Sequence, residues 1–549
     1  MEMQSSQESL GISPSEKKTG FDTIQTAFAK VDRVFSNKPL LFTIILTIRT
    51  INALTTHTFF QPDEFYQALE PAYYKIWGNG YLTWEWEHGL RSFTHPLLYS
   101  GIYAIIDQFH LSHWFVINLP KIFNAFTCAI GEFYLYRLIF KISKDTVVAK
   151  LTLILSLCCT FNWFCFTRSF ANCLELNLTI VGLFYFPFVE LTSPFRFCLA
   201  LALAGFSCVI RPTSVVIWAY FGAFLFFQSR HKIKIIILTT LMSLFVIGVD
   251  SVINFSFYHV WDWPMLKFLD FNFTKSLSSF YGVSRVDFYF DQAIPILLTT
   301  YLPLFLLGVI KTRTKFLKYK LLILFYCLVF TIIQHKEFRF IYPLLPFLLL
   351  FSAFGLLQLS KSLSSTVLKL IIIAILFING VMSYYLTTFH ESGVIKVTEV
   401  LRDQILSDYS STHKEIEVGF LTPCHSTPYQ SYFDLPSDVS NIWFLTCEPP
   451  LHLTSIEELE NYMDESDLFY EDPIGFLNAN FVDQTGEFVR EWPDYLVIFE
   501  HIYSTLNDFI VDQGYHVNQT LFNTVAHWDY RRAGDLIIYA KELKDPNTA

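Results

Sequence analysis

The chain has 549 residues, 52% of them hydrophobic and 16% charged, with a formal net charge of −10. Ordinary soluble domains carry charge on about a quarter of their residues, so a soluble globular protein is excluded and a chain that crosses a bilayer many times is implied. The charge is divided: 28 of the 49 acids but only 8 of the 39 bases follow His390, which separates a basic membrane body from an acidic soluble tail.

Residues 1–38 are polar, carry Lys17, Lys18, Lys30, Arg33 and Lys38, and read as a short cytosolic tail without a cleavable signal peptide. Apolar stretches able to span a bilayer follow at 40–57, 96–109, 115–140, 146–167, 171–191, 197–221, 233–256, 291–310, 320–335, 341–358 and 367–387, about eleven helices. Lys and Arg cluster in the N-terminal segment, at 230–234, at 311–320 and around Lys361 and Lys369. Cytosolic loops are enriched in Lys and Arg, so these clusters are placed in the cytosol. The 58–95 loop, the 257–290 loop, the 335–340 turn and the tail then lie on the lumenal side. Lys141, Lys144 and Lys150 go against this assignment, which leaves the count loosest around helices three to five.

Sequons at Asn272 and Asn518 fall in lumenal segments and are candidate glycosylation sites. The tail alternates apolar runs at 416–421, 442–445 and 495–499 with turn residues, and helices are expected near 393–408 and 455–462. A small α/β domain follows from that pattern. Cys424 and Cys447 are its two cysteines and could pair in an oxidising compartment. The expected architecture is an all-α polytopic membrane body over 39–388 with a C-terminal lumenal α/β domain over 389–549.

The first lumenal loop opens FFQPDEFYQALE (59–70). Pro62 suits a first helical turn, and the helix dipole favours ionised Asp63 and Glu64 there. Spacing of i, i+4, i+7 puts Asp63, Gln67 and Glu70 on one face, with Phe65, Leu69 and Tyr73 opposite, fit for lipid or the helical bundle. Acids in a first turn are routine, so the pair alone does not mark a site. The following GYLTWEWEHGLRSFTHP (80–96) gathers Trp84, Glu85, Trp86, Glu87, His88, Arg91 and His95. Such rings serve as an interfacial belt, or beside carboxylates hold a sugar. Gln67, Trp84, Glu85 and Trp86 are the candidate sugar contacts.

A second cluster, TIIQHKEFRFIYPLLP (331–346), sets His335, Lys336, Glu337 and Arg339 in an apolar hairpin. Charges there are costly and mark function by default. Arg offers phosphate a planar fork and Lys a point charge. His335, Lys336, Arg339 and Arg91 are thus the candidate phosphate contacts, with Glu337 an orienting group. Arg49, Asn52, Arg168, Asn172, Glu175 and Arg211 read as internal pairs or as neighbours of the site; Arg168 and Glu175 lie two turns apart on one face.

PDEFYQALE, GYLTWEWEHGLRSFTHPLLY, RSFANCLE (168–175) and HKEFRFIYPLLP, in this order, resemble the signatures of the dolichyl-phosphate-mannose-dependent mannosyltransferases, glycosyltransferase family 22. The tail segments TPCHSTPYQSYFDLP and DESDLFYEDPIGFL are similar to those of its GPI-anchor branch, which adds the third mannose. Many relatives have His where Gln61 stands. The resemblance implies a GT-C fold in the endoplasmic reticulum membrane with a lumenal active site. It also implies dolichyl phosphate mannose as donor, a mannosylated GPI lipid as acceptor, an α-1,2 product and no nucleic-acid partner. A β-linked donor giving an α product means inversion by a single displacement. Asp63 is the candidate base, with Glu64 as second candidate or orienting group. No cofactor or metal is expected, because the donor carries one phosphate and the first loop has no DxD or His-rich ligand set. The competing readings are a sister enzyme of lipid-linked N-glycan assembly, a transporter, and a non-catalytic subunit.

Overall fold

The computed structural model describes residues 19–541 apart from 271–283, 313, 334, 452, 454–457 and 459–460. Among the described residues up to 388, every named element is a helix. Among the described residues four helical stretches are long and apolar enough to cross a membrane: Lys232–Tyr258, Tyr289–Lys311, Phe338–Ser362 and Ser365–Thr412. The pair Gly20–Ser36 and Lys38–Leu54, bent by 100°, makes a fifth if counted as one span. Leu241, Leu244 and Phe377 stand exposed on two of these helices, an apolar surface suited to lipid.

The count of eleven is not reached by length and apolarity: the stretches at 96–109, 171–191 and 320–335 form helices of 15 residues, and two other expected spans are broken. The 146–167 stretch forms Thr146–Leu157 and Thr160–Cys165. The 197–221 stretch stops at Arg211, which is extended at φ −140° because proline at the next position disfavours the helical region for it. The expected N-terminal tail is also partly folded. Residues Gly20–Ser36 form a helix with a Thr19–Asp22 capping box, and Ile24 and Phe28 are buried in the core of the membrane body.

Buried charge ties this body together. Arg49 pairs with Glu132, both wholly buried, and Ser156 donates to Glu132 at 2.8 Å. Asn162 donates to Ser156 and accepts from the Tyr342 hydroxyl at 2.7 Å. The network therefore links the helix that leads into Asp63 with the segment that carries Arg339. Arg168 and Glu175, expected to pair with each other or with neighbours, do the latter: Arg168 meets Glu64, and Glu175 meets Arg211 at 3.6 Å.

The tail holds a five-stranded sheet: β1 Ile416–Phe420, β2 Ser440–Phe444, β3 Tyr495–Phe499, β4 Tyr515–Thr524 and β5 Gly534–Lys541, in the order β2-β1-β3-β5-β4. β1 is parallel to β2 and β3, and β5 is antiparallel to β3 and β4. The three strands and the 393–408 helix anticipated from apolar runs are present, the helix as Gly393–Thr412. β4 escaped because it is a bulged strand whose residues 516–520 are exposed, so its apolar signal is weak. The helix expected near 455–462 falls largely outside the described residues, as does Asn272. Asn518 is exposed on β4, where its amide donates to Gln404. Cys424 and Cys447 are joined in a disulfide with Cα atoms 5.8 Å apart, tying the segment after β1 to the segment after β2.

The first loop docks on the helical bundle, as expected, through Tyr99, Tyr103 and Val116, and on this domain as well. Phe65, Leu69 and Tyr73 share one apolar cluster with Phe420, Tyr432, Phe433 and Ile538. Polar contacts line the same seam. The Tyr66 hydroxyl donates to the Thr427 carbonyl at 2.9 Å, Tyr73 donates to Asp434 at 2.9 Å, and Asn79 donates to the Leu435 carbonyl at 2.7 Å.

Candidate active site

The two adjacent carboxylates part company in space. Phe65 and Tyr66 N–H both reach the Pro62 carbonyl at 3.0 Å, so the proline does start a turn. The chain then runs as a π-helical turn over Phe65–Leu69, whose wider winding undoes the expected common face. Asp63 points to Arg339, Gln67 to Glu85 and Glu70 to the tail. Glu70 is wholly buried and accepts from Tyr429 N–H, Ser431 N–H and the Ser431 hydroxyl at 2.5–3.1 Å. Burial pushes its carboxyl up to about 7 against those hydrogen bonds.

Glu64 is sealed, with its side chain 9% exposed and Arg168 at 3.0 Å. Arg168 is itself saturated, donating to the Phe164 carbonyl at 2.7 Å and to the Thr58 hydroxyl at 2.9 Å. Burial pushes the Glu64 carboxyl up, opposed by Arg168. Asp63 is 21% exposed and forms an ion pair with Arg339. Of the two, only Asp63 has both access and a partner that a phosphate could draw away.

Arg339 is the hub. Its guanidinium is 8% exposed and bridges Asp63 and Glu337, and the Phe170 ring lies 4.8 Å away. Burial disfavours its charge, and the Asp63 and Glu337 carboxylates offset that cost. Burial likewise raises Glu337, yet Arg339 and His335 bring its carboxyl down to about 2. Glu337 thus grips Arg339 through both oxygens and His335 through Nε2 at 3.2 Å, which is the orienting role expected for it. Lys336 donates to the Ser284 carbonyl at 2.9 Å, at the edge of the 257–290 loop.

Glu85 bridges Arg91 at 2.6 Å and Gln67 at 3.3 Å, and Arg91 lies within electrostatic reach of Asp63 and Arg339. The aromatic residues behave differently from expectation. Trp86 is 2% exposed, spends its indole N–H on the Tyr66 carbonyl at 2.9 Å and packs against Phe93 and Phe257. It props the loop and presents no open ring face to a sugar. Trp84 is also buried, against Leu90 and Leu451.

Two further residues join the site: Arg211, which the sequence left open between an internal pair and a neighbour of the site, and His425, which motif reading did not place there. Arg211, at the proline-forced helix break, lies in the electrostatic field of Asp63, Arg91 and Arg339, with the Phe340 ring 5.4 Å away. Asp63 thus contacts the Arg339 guanidinium and lies within the electrostatic range of two more, those of Arg91 and Arg211. The signal for Arg211 was the Arg-Pro break inside an apolar run. The second is His425, which follows the disulfide and stacks edge-on against Tyr66 with ring centroids 4.4 Å apart. Cys424, His425 and Cys447 are the one group of at least three His, Cys or acidic residues among the described residues close enough to share a metal, and both sulfurs are spent in the disulfide. A carboxylate among arginines can take a proton from a hydroxyl once an anion engages those arginines.

The sequence model of the Alg9-like mannosyltransferase family matches residues 40–434. The chain is 39% identical over 518 residues to GPI mannosyltransferase 3 of Debaryomyces hansenii, covering 91% of this chain and 92% of that one. It is 40% identical over 506 residues to GPI mannosyltransferase 3 of Candida albicans, covering 91% and 98%. Among solved structures, ArnT from Cupriavidus metallidurans bound to undecaprenyl phosphate overlaps 91% of this chain and 97% of its own, at a TM-score of 0.49 and 12% identity. That likeness is too loose to carry an argument.

Proposed function

The chain belongs to the Alg9-like mannosyltransferase family, and from that premise we propose that it adds the third mannose, α-1,2-linked, from dolichyl phosphate mannose to the Man2-GPI precursor in GPI-anchor biosynthesis. The names of its relatives, GPI mannosyltransferase 3, support the acceptor. The reaction is placed at the lumenal face of the endoplasmic reticulum membrane in a GT-C body.

The observation that carries the chemistry is the contact between Asp63 and Arg339, two residues 276 positions apart. In the proposed mechanism the donor phosphate enters among Arg339, Arg91 and Arg211 and displaces the Asp63 carboxylate from Arg339. Asp63 then takes the proton of the acceptor 2-hydroxyl as that oxygen attacks the anomeric carbon from the face opposite the phosphate. The C–O bond to dolichyl phosphate breaks, and its electron pair leaves on a phosphate oxygen held by the arginines. Coupling base release to donor binding keeps the base out of use until a sugar is present. Guanidinium charge opposes the single phosphate, so the reaction as proposed needs no metal.

Depleting the protein and identifying the lipid that accumulates tests the assignment. A GPI precursor with two mannoses is expected; a truncated N-glycan precursor in its place refutes it and points to the sister enzyme.

A further inference from the structure

Near Asp63, Arg91 Nε, Arg211 Nε and His425 Nε2 are buried without a hydrogen bond among the described residues, and of these three only His425 carries no charge that a phosphate would meet. His425 Nε2 is buried and makes no hydrogen bond among the described residues, while Nδ1 meets Cys447 Sγ at 3.7 Å. Leaving a buried nitrogen unpaired is unfavourable. His425 also holds φ +54°, in the left-handed region, which is unfavourable for a residue with a Cβ. Three anchors impose this conformation. Cys424 is bonded to Cys447, the Ser426 hydroxyl donates to the Pro423 carbonyl, and the Thr427 carbonyl accepts from Tyr66. The fold therefore maintains two unfavourable features in one residue, at the seam between the tail and the first loop. The imidazole packs on Tyr66, three residues after Asp63, and feels the Asp63 carboxylate electrostatically.

The chemistry narrows what it can bind. Burial, aided by Arg532, pushes the imidazole down to about 4, so the ring is neutral near pH 7. A neutral ring has one donor and one acceptor nitrogen and no charge; with Nδ1 facing Cys447, one hydrogen bond is left to make, at Nε2, which suits a hydroxyl better than a phosphate. The counter-charge for phosphate comes from the membrane body, whereas His425 comes from the tail and flanks the base. We propose that His425 is an acceptor-specificity residue, whose Nε2 hydrogen-bonds a hydroxyl of the acceptor sugar and orients that sugar toward Asp63. The proposal rests on the reading of Asp63 as the base of mannosyl transfer. It also gives the tail a direct part in choosing the acceptor.

The test uses the full-length protein in membranes, with dolichyl phosphate mannose and the Man2-GPI precursor varied separately. His425→Phe keeps the ring and removes its nitrogens; His425→Gln carries an amide near the Nε2 position; His425→Asn carries one near Nδ1. The Phe and Asn variants are expected to raise the acceptor KM about tenfold, as loss of one such hydrogen bond implies, with the donor KM within twofold. The Gln variant is expected to recover most of the difference. An unchanged acceptor KM in the Phe variant overturns the proposal, as does a parallel rise in both KM values. Should the Phe variant not accumulate, the Asn and Gln pair decides, and equal acceptor KM values overturn it. Wild-type protein that transfers nothing to the Man2 precursor refutes the functional reading itself, whereas active wild type with insensitive His425 variants refutes this inference alone.

Discussion

Replacing Asp63 and Glu64 one at a time separates chemistry from structure, because the two carboxylates sit in different environments. Glu64→Ala leaves Arg168 buried without its anion. Breaking a buried pair by removing one partner costs about 3–5 kcal/mol. The lower end applies, about 3 kcal/mol, since Arg168 keeps its bonds to the Phe164 carbonyl and the Thr58 hydroxyl. Glu64→Gln retains an acceptor oxygen and costs less. Asp63→Asn is close to isosteric at a partly exposed position, and Arg339 keeps both oxygens of Glu337. Its stability effect is within about 1 kcal/mol, while loss of a general base lowers turnover roughly 10²–10⁴-fold. The assay compares microsomes carrying each variant for protein abundance, for the midpoint of heat-induced precipitation, and for initial rates of labelled mannose transfer. Expected are normal abundance without transfer for Asp63→Asn, and low abundance with near-normal turnover per molecule for Glu64→Gln and Glu64→Ala. The opposite pattern, turnover abolished in a stable Glu64→Gln and retained in Asp63→Asn, would falsify the assignment of the base.

The remaining predictions address the donor, the metal and the seam. Arg339→Lys keeps charge but loses the planar fork that spans Asp63 and Glu337, so the donor KM should rise about tenfold with the acceptor KM unchanged; an unaltered donor KM removes its phosphate role. Transfer should survive excess EDTA, and loss of activity restored by Mn²⁺ or Mg²⁺ would overturn the metal-free mechanism. Glu70, raised from an ordinary carboxyl value to about 7 in the folded protein, holds a proton there that the unfolded chain gives up at lower pH. Its contribution is therefore fully present below about pH 4.5 and is lost as pH rises to about 7, up to roughly 3 kcal/mol in all. Protease resistance of the tail should fall over that window, and Glu70→Gln should flatten the slope; a Gln variant with the wild-type slope refutes the assignment.

Much was legible in the sequence because its signals are local. Apolar length marks a span, a proline opens a turn, and an apolar run between turn residues marks β1, β2 or β3. The PDE and HKEFR segments supplied Asp63, Arg339 and Glu337. The same local logic failed where tertiary packing overrode it. A π-helical turn after Glu64 rotated Gln67 and Glu70 away from Asp63, and the distant tail joined the helical bundle in covering Phe65, Leu69 and Tyr73. Trp86, read as a sugar platform, is a buried prop.

The sequence by itself determined the class of protein, its family resemblance and the two segments that carry charge, since composition and short motifs are properties of neighbours along the chain. Only the tertiary structure decided which of two adjacent carboxylates is accessible, that Arg211 joins Arg91 and Arg339, and that the tail brings His425 to the first loop. Those are pairings across tens to hundreds of residues. Burial and electrostatics, which set what each group can do, depend on distance in space and not along the chain.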